Sequence, residues 1–253
     1  MPATVLQHPE WLGRPAVAVE NSAGRGPFVL ICDHASNWVP GELRALGLPS
    51  QQLTRHIAWD RGALQLSQRL AQQLDAPLVH AGISRLVLDV NRDPTHPGSI
   101  VTRSEDTEIP GNRDITPQER ARRVRDIYEP YHAALATVIA SALEHGAPGL
   151  VAVHSFTPVF HGQQRPWHVG VLSGADRRMA DPVLAYLQRE RELTVGDNQP
   201  YAPTDGVYHT LARHSAAREL HSVMLELRAD VIATPAGQAQ WAQRLTGALQ
   251  SIH

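Results

Sequence analysis

A short apolar segment in the middle of the chain constrains the possible folds most strongly. Residues 150–153 are consecutive apolar residues that follow the turn pair Pro148-Gly149, a pattern typical of a strand buried on both faces. Polar side chains begin directly afterwards, at His154 and Ser155. Ligands of open α/β sheets bind outside the carboxyl ends of strands. The sequence therefore predicts a functional site at the end of this strand.

Two other apolar segments end in polar, chemically capable residues. The run 28–32 is followed by an Asp-His pair that ends at His34, and the run 222–225 is followed by Glu226. The carboxyl ends of neighbouring parallel strands meet at one edge of a sheet. We therefore expect His34, His154 and Glu226 to converge on one metal ion and one catalytic carboxylate.

Predicted strands and helices alternate along the chain. Strands are predicted at 28–32, 78–81, 86–90, 150–153, 167–172 and 223–227, and helices over 53–74, 117–144, 181–191, 211–217 and 235–249. Residues 1–26 are predicted to be irregular, and the polar stretch 93–112 to be a functional loop. This order favours a three-layer α/β/α sandwich with a mixed, mainly parallel central sheet. No shift in composition marks a boundary, so we expect a single domain over residues 1–253.

Composition excludes several classes of protein. The net charge of −2 favours neither nucleic acid nor an anionic membrane surface as a partner, and no apolar run approaches the roughly 18 residues that span a bilayer. The single Cys32 excludes an intrachain disulfide and a thiolate-rich zinc cluster. We expect a cytoplasmic protein that binds a small molecule. The basic run Arg120, Arg122, Arg123 and Arg125 is interpreted as a solvated helix face.

The residue types at the predicted site match those of zinc hydrolases. Such enzymes hold one zinc ion through three His or carboxylate ligands and leave a position for water. His34 and His154 supply two ligands. Asp60 is the predicted third, because a carboxylate at a helix start near the carboxyl edge of the sheet can reach inward. His56 and Asn37 remain alternatives; His56 and Asp60 would share one face if the helix began before them.

Other residues fit the remaining tasks of an amide hydrolase. Glu226 can take a proton from water and return it to the leaving amine. Arg92 can hold a carboxylate through two parallel hydrogen bonds, Asn91 can add a third, and Arg85 is a further candidate. On spacing alone, Asn112 is better explained as part of a solvated turn.

Several segments in order resemble the N-formylglutamate amidohydrolase family. They are residues 34–40 (HASNWVP), 56–62 (HIAWDRG), 84–92 (SRLVLDVNR), 109–112 (IPGN), 130–132 (PYH), 154–156 (HSF) and 225–228 (LELR). The resemblance runs from about residue 28 to residue 228. It also favours a substrate contact for Asn112.

The resemblance implies a zinc carboxypeptidase-like fold and a set of roles. His34 and His154 would bind zinc, Asn91 and Arg92 would hold the substrate carboxylate, and Glu226 would be the general base. Zinc carboxypeptidases have a Glu three residues after the first His, where this sequence has an Asn, so the third ligand stays open. The implied reaction is hydrolysis of the N-formyl amide of an acidic amino acid. A zinc carboxypeptidase, an N-acyl amino-acid deacylase and a non-catalytic carboxylate-binding protein are the alternatives.

Overall fold

The computed structural model describes residues 8–146, 148–216 and 218–252. The strands are β1 (Val17–Glu20), β2 (Phe28–Cys32), β3 (Leu78–Ala81), β4 (Arg103–Ser104), β5 (Thr107–Glu108), β6 (Gly149–Phe156), β7 (Val159–Phe160), β8 (Gln163–Gln164), β9 (Val169–Leu172), β10 (Val195–Asp197) and β11 (Ser222–Arg228). The helices are α1 (Ala63–Gln73), α2 (Pro117–Arg123), α3 (Glu129–Leu143), α4 (Ala180–Leu187), α5 (His209–Ala216) and α6 (Pro235–Gln250), and a π-helical turn (Val124–Tyr128) joins α2 to α3. Across these residues, no helix has both the length and the hydropathy that a membrane span requires.

Seven of the described strands form one mixed central sheet. Their order is β1-β3-β2-β6-β11-β9-β10. Strands β3, β2, β6 and β11 run parallel to one another. At the two sides of this group, β1 pairs antiparallel with β3, and β9 pairs antiparallel with β11; β10 is parallel to β9. The predicted mixed, mainly parallel sheet is therefore confirmed. Because β2, β6 and β11 are adjacent and parallel, their carboxyl ends share one edge.

Helices cover both faces of the sheet. Strand β2 is buried along its whole length, and its side chains alternate between two cores. Val29 and Ile31 lie in the core that includes Tyr131 and other residues of α3, whereas Leu30 lies in the core built with α1, α4 and α6. This arrangement gives the three layers that the sequence predicts, with the sheet in the middle.

Three predicted elements differ from the structure. Residues 86–90 form turns instead of a strand, because Ser84 accepts backbone N–H bonds locally and other side chains bind the carbonyl groups. The helix predicted over 53–74 begins only at Ala63, since Gly62 has a positive φ of 83° that no continuous helix can include. His56 and Asp60 therefore do not share a helical face. Strand β1 lies within the segment predicted to be irregular.

The interpretation of Arg123 as a solvated residue is also wrong, because its side chain is fully buried. Its Nε donates to Glu119 Oε1 at 2.9 Å, and its Nη1 donates to the carbonyl of Val87 and to Asn112 Oδ1 at 3.0 and 2.8 Å. Asn112 in turn donates to the carbonyl of Leu86. Arg123 and Asn112 thus hold the irregular segment 84–92 in place, without help from a strand partner.

We predict that Arg123→Ala destabilises the fold by about 3 kcal/mol, because it leaves the buried carbonyl of Val87 and the buried Oδ1 of Asn112 without their donor. The control is Arg113→Ala, which removes an arginine with a 55% exposed side chain that pairs with Glu108 on the surface. The control should cost less than about 1 kcal/mol. Urea unfolding of both variants measures the difference, and equal losses would contradict the structural role of Arg123.

Candidate metal centre and active site

Two histidines and one aspartate meet at the carboxyl edge of the sheet. His34 lies two residues beyond β2, His154 lies within β6, and Asp60 lies in the turn before α1. The Nδ1 atoms of the two histidines are 3.2 Å apart, and Asp60 Oδ2 lies 3.3 Å from His34 Nδ1 and 2.9 Å from His154 Nδ1. All three side chains are buried. The structure thus brings together the three residues that the sequence analysis proposed as metal ligands.

The outer nitrogen of each histidine is bound by a further carboxylate. His34 Nε2 lies 2.8 Å from Asp89 Oδ1, and His154 Nε2 lies 3.0 Å from Asp33 Oδ2. An ionised carboxylate only accepts hydrogen bonds, so each Nε2 carries the proton and donates it. In the neutral ring, each Nδ1 therefore directs a lone pair toward Asp60. Carboxylates behind the ligand histidines are typical of metal sites, where they fix the tautomer and raise ligand basicity.

Backbone contacts hold Asp60 in this position. Its backbone N–H donates to the carbonyl of His34 at 2.9 Å, and the backbone N–H of Ser155 donates to its Oδ2 at 3.2 Å. Arg85 Nη1 donates to Oδ1 at 3.3 Å. Of the alternative ligands, His56 Nδ1 lies 3.5 Å from Asp60 Oδ1, and Asn37 donates to the carbonyl of Leu53. Asp60, and neither alternative, faces both Nδ1 atoms.

The electrostatics of this cluster require positive charge at its centre. Burial lowers the pKa of His154, but its bonds to Asp33 and Asp60 outweigh burial and raise the pKa well above the usual value. The pKa of His34 is also raised, because Asp89 and Asp60 outweigh burial and the charge of Arg85. Without added positive charge, two lone pairs and a carboxylate oxygen would repel one another. Either a proton or a metal cation satisfies this requirement.

Glu226 lies beside this cluster with an unusual environment. It stands opposite His154 in the parallel register of β11 on β6. The side chain is buried, and its Oε2 has no hydrogen-bond partner among the described residues. Burial, with a smaller contribution from the charge of Asp60, raises the pKa of Glu226 to about 7, although the charge of His154 opposes this shift. A carboxyl group with this pKa can both take up and release a proton near neutral pH.

These residues line one cavity of about 210 Å³. Its wall includes the cluster His34, Asp60 and His154 together with Glu226, His56, Asp89, Asn91, Arg85, Arg92, Phe160 and Tyr201. Two guanidinium groups therefore reach the same small space as the candidate metal ligands. A cavity of this kind suits a small anionic molecule.

The two asparagines proposed for substrate binding have different positions. Asn91 lines the cavity, where its Nδ2 donates to the carbonyl of Val207 and its Oδ1 accepts from the backbone N–H of Thr210. Asn112 is buried behind the segment 84–92, and its Nδ2 donates to the carbonyls of Leu86 and Val101. The contacts of Asn112 correct both the solvated-turn interpretation and the expected substrate contact, since its amide is used to hold backbone.

The sequence analysis missed several residues of this site. Asp33 directly precedes His34, so the Asp-His pair is a usable signal for it, and Asp89 lies two residues before Asn91. Tyr201 and Phe160 reach the cavity from loops and small hairpins. No periodicity or motif distinguishes them, so only the folded chain reveals their position.

Comparison with known proteins gives the family of this chain and solved structures that it resembles. The sequence model of the N-formylglutamate amidohydrolase family matches residues 26–233. A solved structure of a gene product from Agrobacterium tumefaciens is 40% identical, with a TM-score of 0.92 over 97% of each chain. The structure of an N-formylglutamate amidohydrolase from Ralstonia eutropha is 20% identical, with a TM-score of 0.69 over 92% of this chain and 95% of that one. Among curated proteins, none has a sequence that matches this chain.

These matches place the chain among hydrolases. The family match extends over most of the sequence and includes every residue of the cluster described above. The chain belongs to the N-formylglutamate amidohydrolase family.

We predict that Asp33→Asn and Asp89→Asn each weaken the binding of a divalent metal by about 10- to 100-fold, because an amide no longer holds the histidine tautomer as a carboxylate does. Asp106→Asn, at a side chain that is 79% exposed, is the matched control and should leave affinity unchanged. Competition with a chelating indicator measures the affinities. Wild-type affinity in both buried variants would show that these carboxylates do not support a metal site.

Proposed function

We propose that this protein is a metal-dependent amidohydrolase that removes the formyl group of an N-formyl acidic amino acid. The products are formate and the free amino acid. The observation that carries the proposal is the convergence of His34, Asp60 and His154 beside Glu226, whose Oε2 has no hydrogen-bond partner among the described residues. Family membership supports the reaction class.

The donor set fits a catalytic zinc ion. His34, His154 and Asp60 offer two imidazole nitrogens and one carboxylate oxygen within 4.8 Å of one another. Two His and one carboxylate form a known ligand set of zinc hydrolases, which leave a further position for water or substrate. A bound zinc ion would polarise the formyl carbonyl and make water acidic enough to attack near neutral pH.

Glu226 would move the proton in this reaction. Its free Oε2 can accept the proton of the attacking water, and the resulting carboxylic acid can pass that proton to the departing amine nitrogen. The pKa of about 7 in the absence of a metal means that neither protonation state is strongly disfavoured. A bound cation would lower this pKa and favour the ionised form that begins the reaction.

Arg85 and Arg92 would hold the carboxylate next to the scissile amide. Arg92 is fixed through a bond from its Nη1 to the carbonyl of Asp205 at 3.1 Å, and Arg85 is fixed by Asp60. Both still line the cavity. Asn91 can add one hydrogen bond, because an amide nitrogen carries two hydrogens and Val207 accepts one of them. Fixed charges of this kind orient the substrate before reaction.

The substrate class is tested by the release of free amino acid from N-formylglutamate, N-formylaspartate, N-acetylglutamate and a glutamate-terminated dipeptide, with formate measured for the two formyl compounds. We expect the formyl compounds to be hydrolysed fastest and a strong chelator to abolish turnover until zinc is restored. Preference for the dipeptide or the acetyl compound would favour a carboxypeptidase or a deacylase. Ligand binding without any turnover would favour a non-catalytic protein.

Glu226→Gln should lower kcat by about 100- to 10,000-fold, because the amide has the same size but cannot accept a proton. Zinc content should stay at one ion per chain, since Glu226 is not one of the proposed ligands. Glu42→Gln, at a side chain that is 52% exposed, serves as the matched control. Metal analysis alongside formate release separates the two effects. Turnover of Glu226→Gln within about threefold of wild type would reject the proton-transfer role.

A further inference from the structure

Arg165 is a buried cation that the reaction described above does not use. Only 8% of this residue is exposed. Its Nη1 is buried without a hydrogen-bond partner, and no ion pair joins it to a carboxylate in the described part of the chain. Burying a charged group away from water is costly unless it is paired. The Tyr201 side chain hydrogen-bonds to Arg165 but carries no negative charge, so a guanidinium without a carboxylate among the described residues still needs an explanation.

Aromatic rings enclose this guanidinium group. The Cζ atom of Arg165 lies 4.3 Å from the ring centre of Phe160, 4.9 Å from that of Tyr201 and 5.7 Å from that of Phe156. Cation–π contacts with ring faces stabilise a guanidinium and keep it in a fixed orientation. Phe160 and Tyr201 also line the catalytic cavity. Arg165 is therefore held directly behind the cavity wall.

Arg165 lies on the opposite side of the candidate metal ligands from the other two arginines. Arg85 and Arg92 belong to the segment after β3, at one side of the sheet edge. Arg165 precedes β9, whose first residues lie beside the carboxyl end of β11, and its carbonyl accepts a bond from Arg228. The proposed ligands, on β2 and β6 and before α1, lie between these two positions. Positive charge thus flanks the reacting centre on both sides.

We propose that Arg165 is a specificity-determining residue that binds the side-chain carboxylate of the substrate between Phe160 and Tyr201. This proposal rests on the proposed function and deepens it. Besides its hydrogen, the α-carbon of an N-formyl acidic amino acid carries the formyl amide, the α-carboxylate and a side chain that ends in a second carboxylate. The formyl amide would lie at the ligand cluster, the α-carboxylate at Arg85 and Arg92, and the side-chain carboxylate at Arg165.

The chemistry of the pocket favours a carboxylate over a neutral amide at this position. A guanidinium presents parallel N–H donors that match the two oxygens of a carboxylate, and charge-assisted bonds are about twice as strong as neutral ones. A carboxylate would also neutralise the buried charge, whereas the amide of a glutamine side chain would bring its own N–H donors toward it. Acidic and neutral substrates of equal size should therefore bind differently.

The test compares N-formylglutamate with N-formylglutamine, which differ in charge but hardly in shape, using zinc-loaded enzyme and formate release. The wild type should favour the glutamate compound in kcat/KM by about 10- to 100-fold. In Arg165→Met this ratio should fall to within about threefold of unity, mainly through a higher KM for N-formylglutamate. The kcat for N-formylglutamine should change by less than about threefold.

Two further variants make the result decisive. Arg189→Met removes an exposed arginine that lies over the ring of Tyr186 and should leave the substrate ratio at its wild-type value. Arg165→Lys keeps the charge but loses the two-pronged geometry, so it should reduce the ratio at least threefold and serves if Arg165→Met fails to fold. An unchanged ratio in either Arg165 variant, or an equal loss for both substrates, would overturn the proposal.

The outcome also separates this proposal from the one on which it rests. Wild-type enzyme that releases formate while the Arg165 variants keep its substrate ratio would reject only the role of Arg165. Wild-type enzyme that releases no formate from either compound would overturn the formyl-amide reaction and the role of Arg165 together.

Discussion

The geometry of the candidate metal centre depends on the chain of hydrogen bonds that fixes His154 between two aspartates. Asp33 accepts the Nε2 proton of His154 at 3.0 Å, and Asp60 Oδ2 lies 2.9 Å from Nδ1 on the other side of the ring. Asp33 is itself held by the hydroxyl groups of Tyr131 in α3 and Thr210 in α5, at 2.9 and 2.7 Å. The orientation of one imidazole is thus coupled to helices on the sheet, and the site is set before any ligand binds.

The order of the strands makes this arrangement possible. Parallel strands β2, β6 and β11 end at one edge, so residues far apart in sequence become neighbours without long loops. His154 and Glu226 occupy matching positions on β6 and β11, which places the buried carboxyl group directly beside the ligand cluster. Burial then has two effects: it strengthens the interactions among the charged groups, and it raises the pKa of Glu226.

Sequence patterns predicted the parts of the structure that depend on regular periodicity. The apolar runs that become β2, β6 and β11 have polar residues at their ends, and so the positions of His34, His154 and Glu226 at one edge followed from the sheet type. The strand predicted at 86–90 is wrong, because the apolar side chains of this segment are buried although its backbone is irregular. The side chains of Arg123 and Asn112 hold that backbone in place. Such long-range contacts leave no periodic signal. For the same reason, the burial of Arg123 and Arg165 could not be predicted, since both lie in segments whose local composition suggests solvent exposure.

The central claim is that His34, His154 and Asp60 together bind one metal ion. X-ray absorption of zinc-loaded protein tests this most directly, because it counts the ligands around the metal itself. The claim predicts one zinc ion per chain, with two imidazole nitrogens at about 2.0–2.1 Å, the remaining ligands oxygen, and no sulfur. A spectrum with fewer than two imidazoles, or zinc that stays bound with the same spectrum in a His34→Ala, His154→Ala double variant, would contradict it.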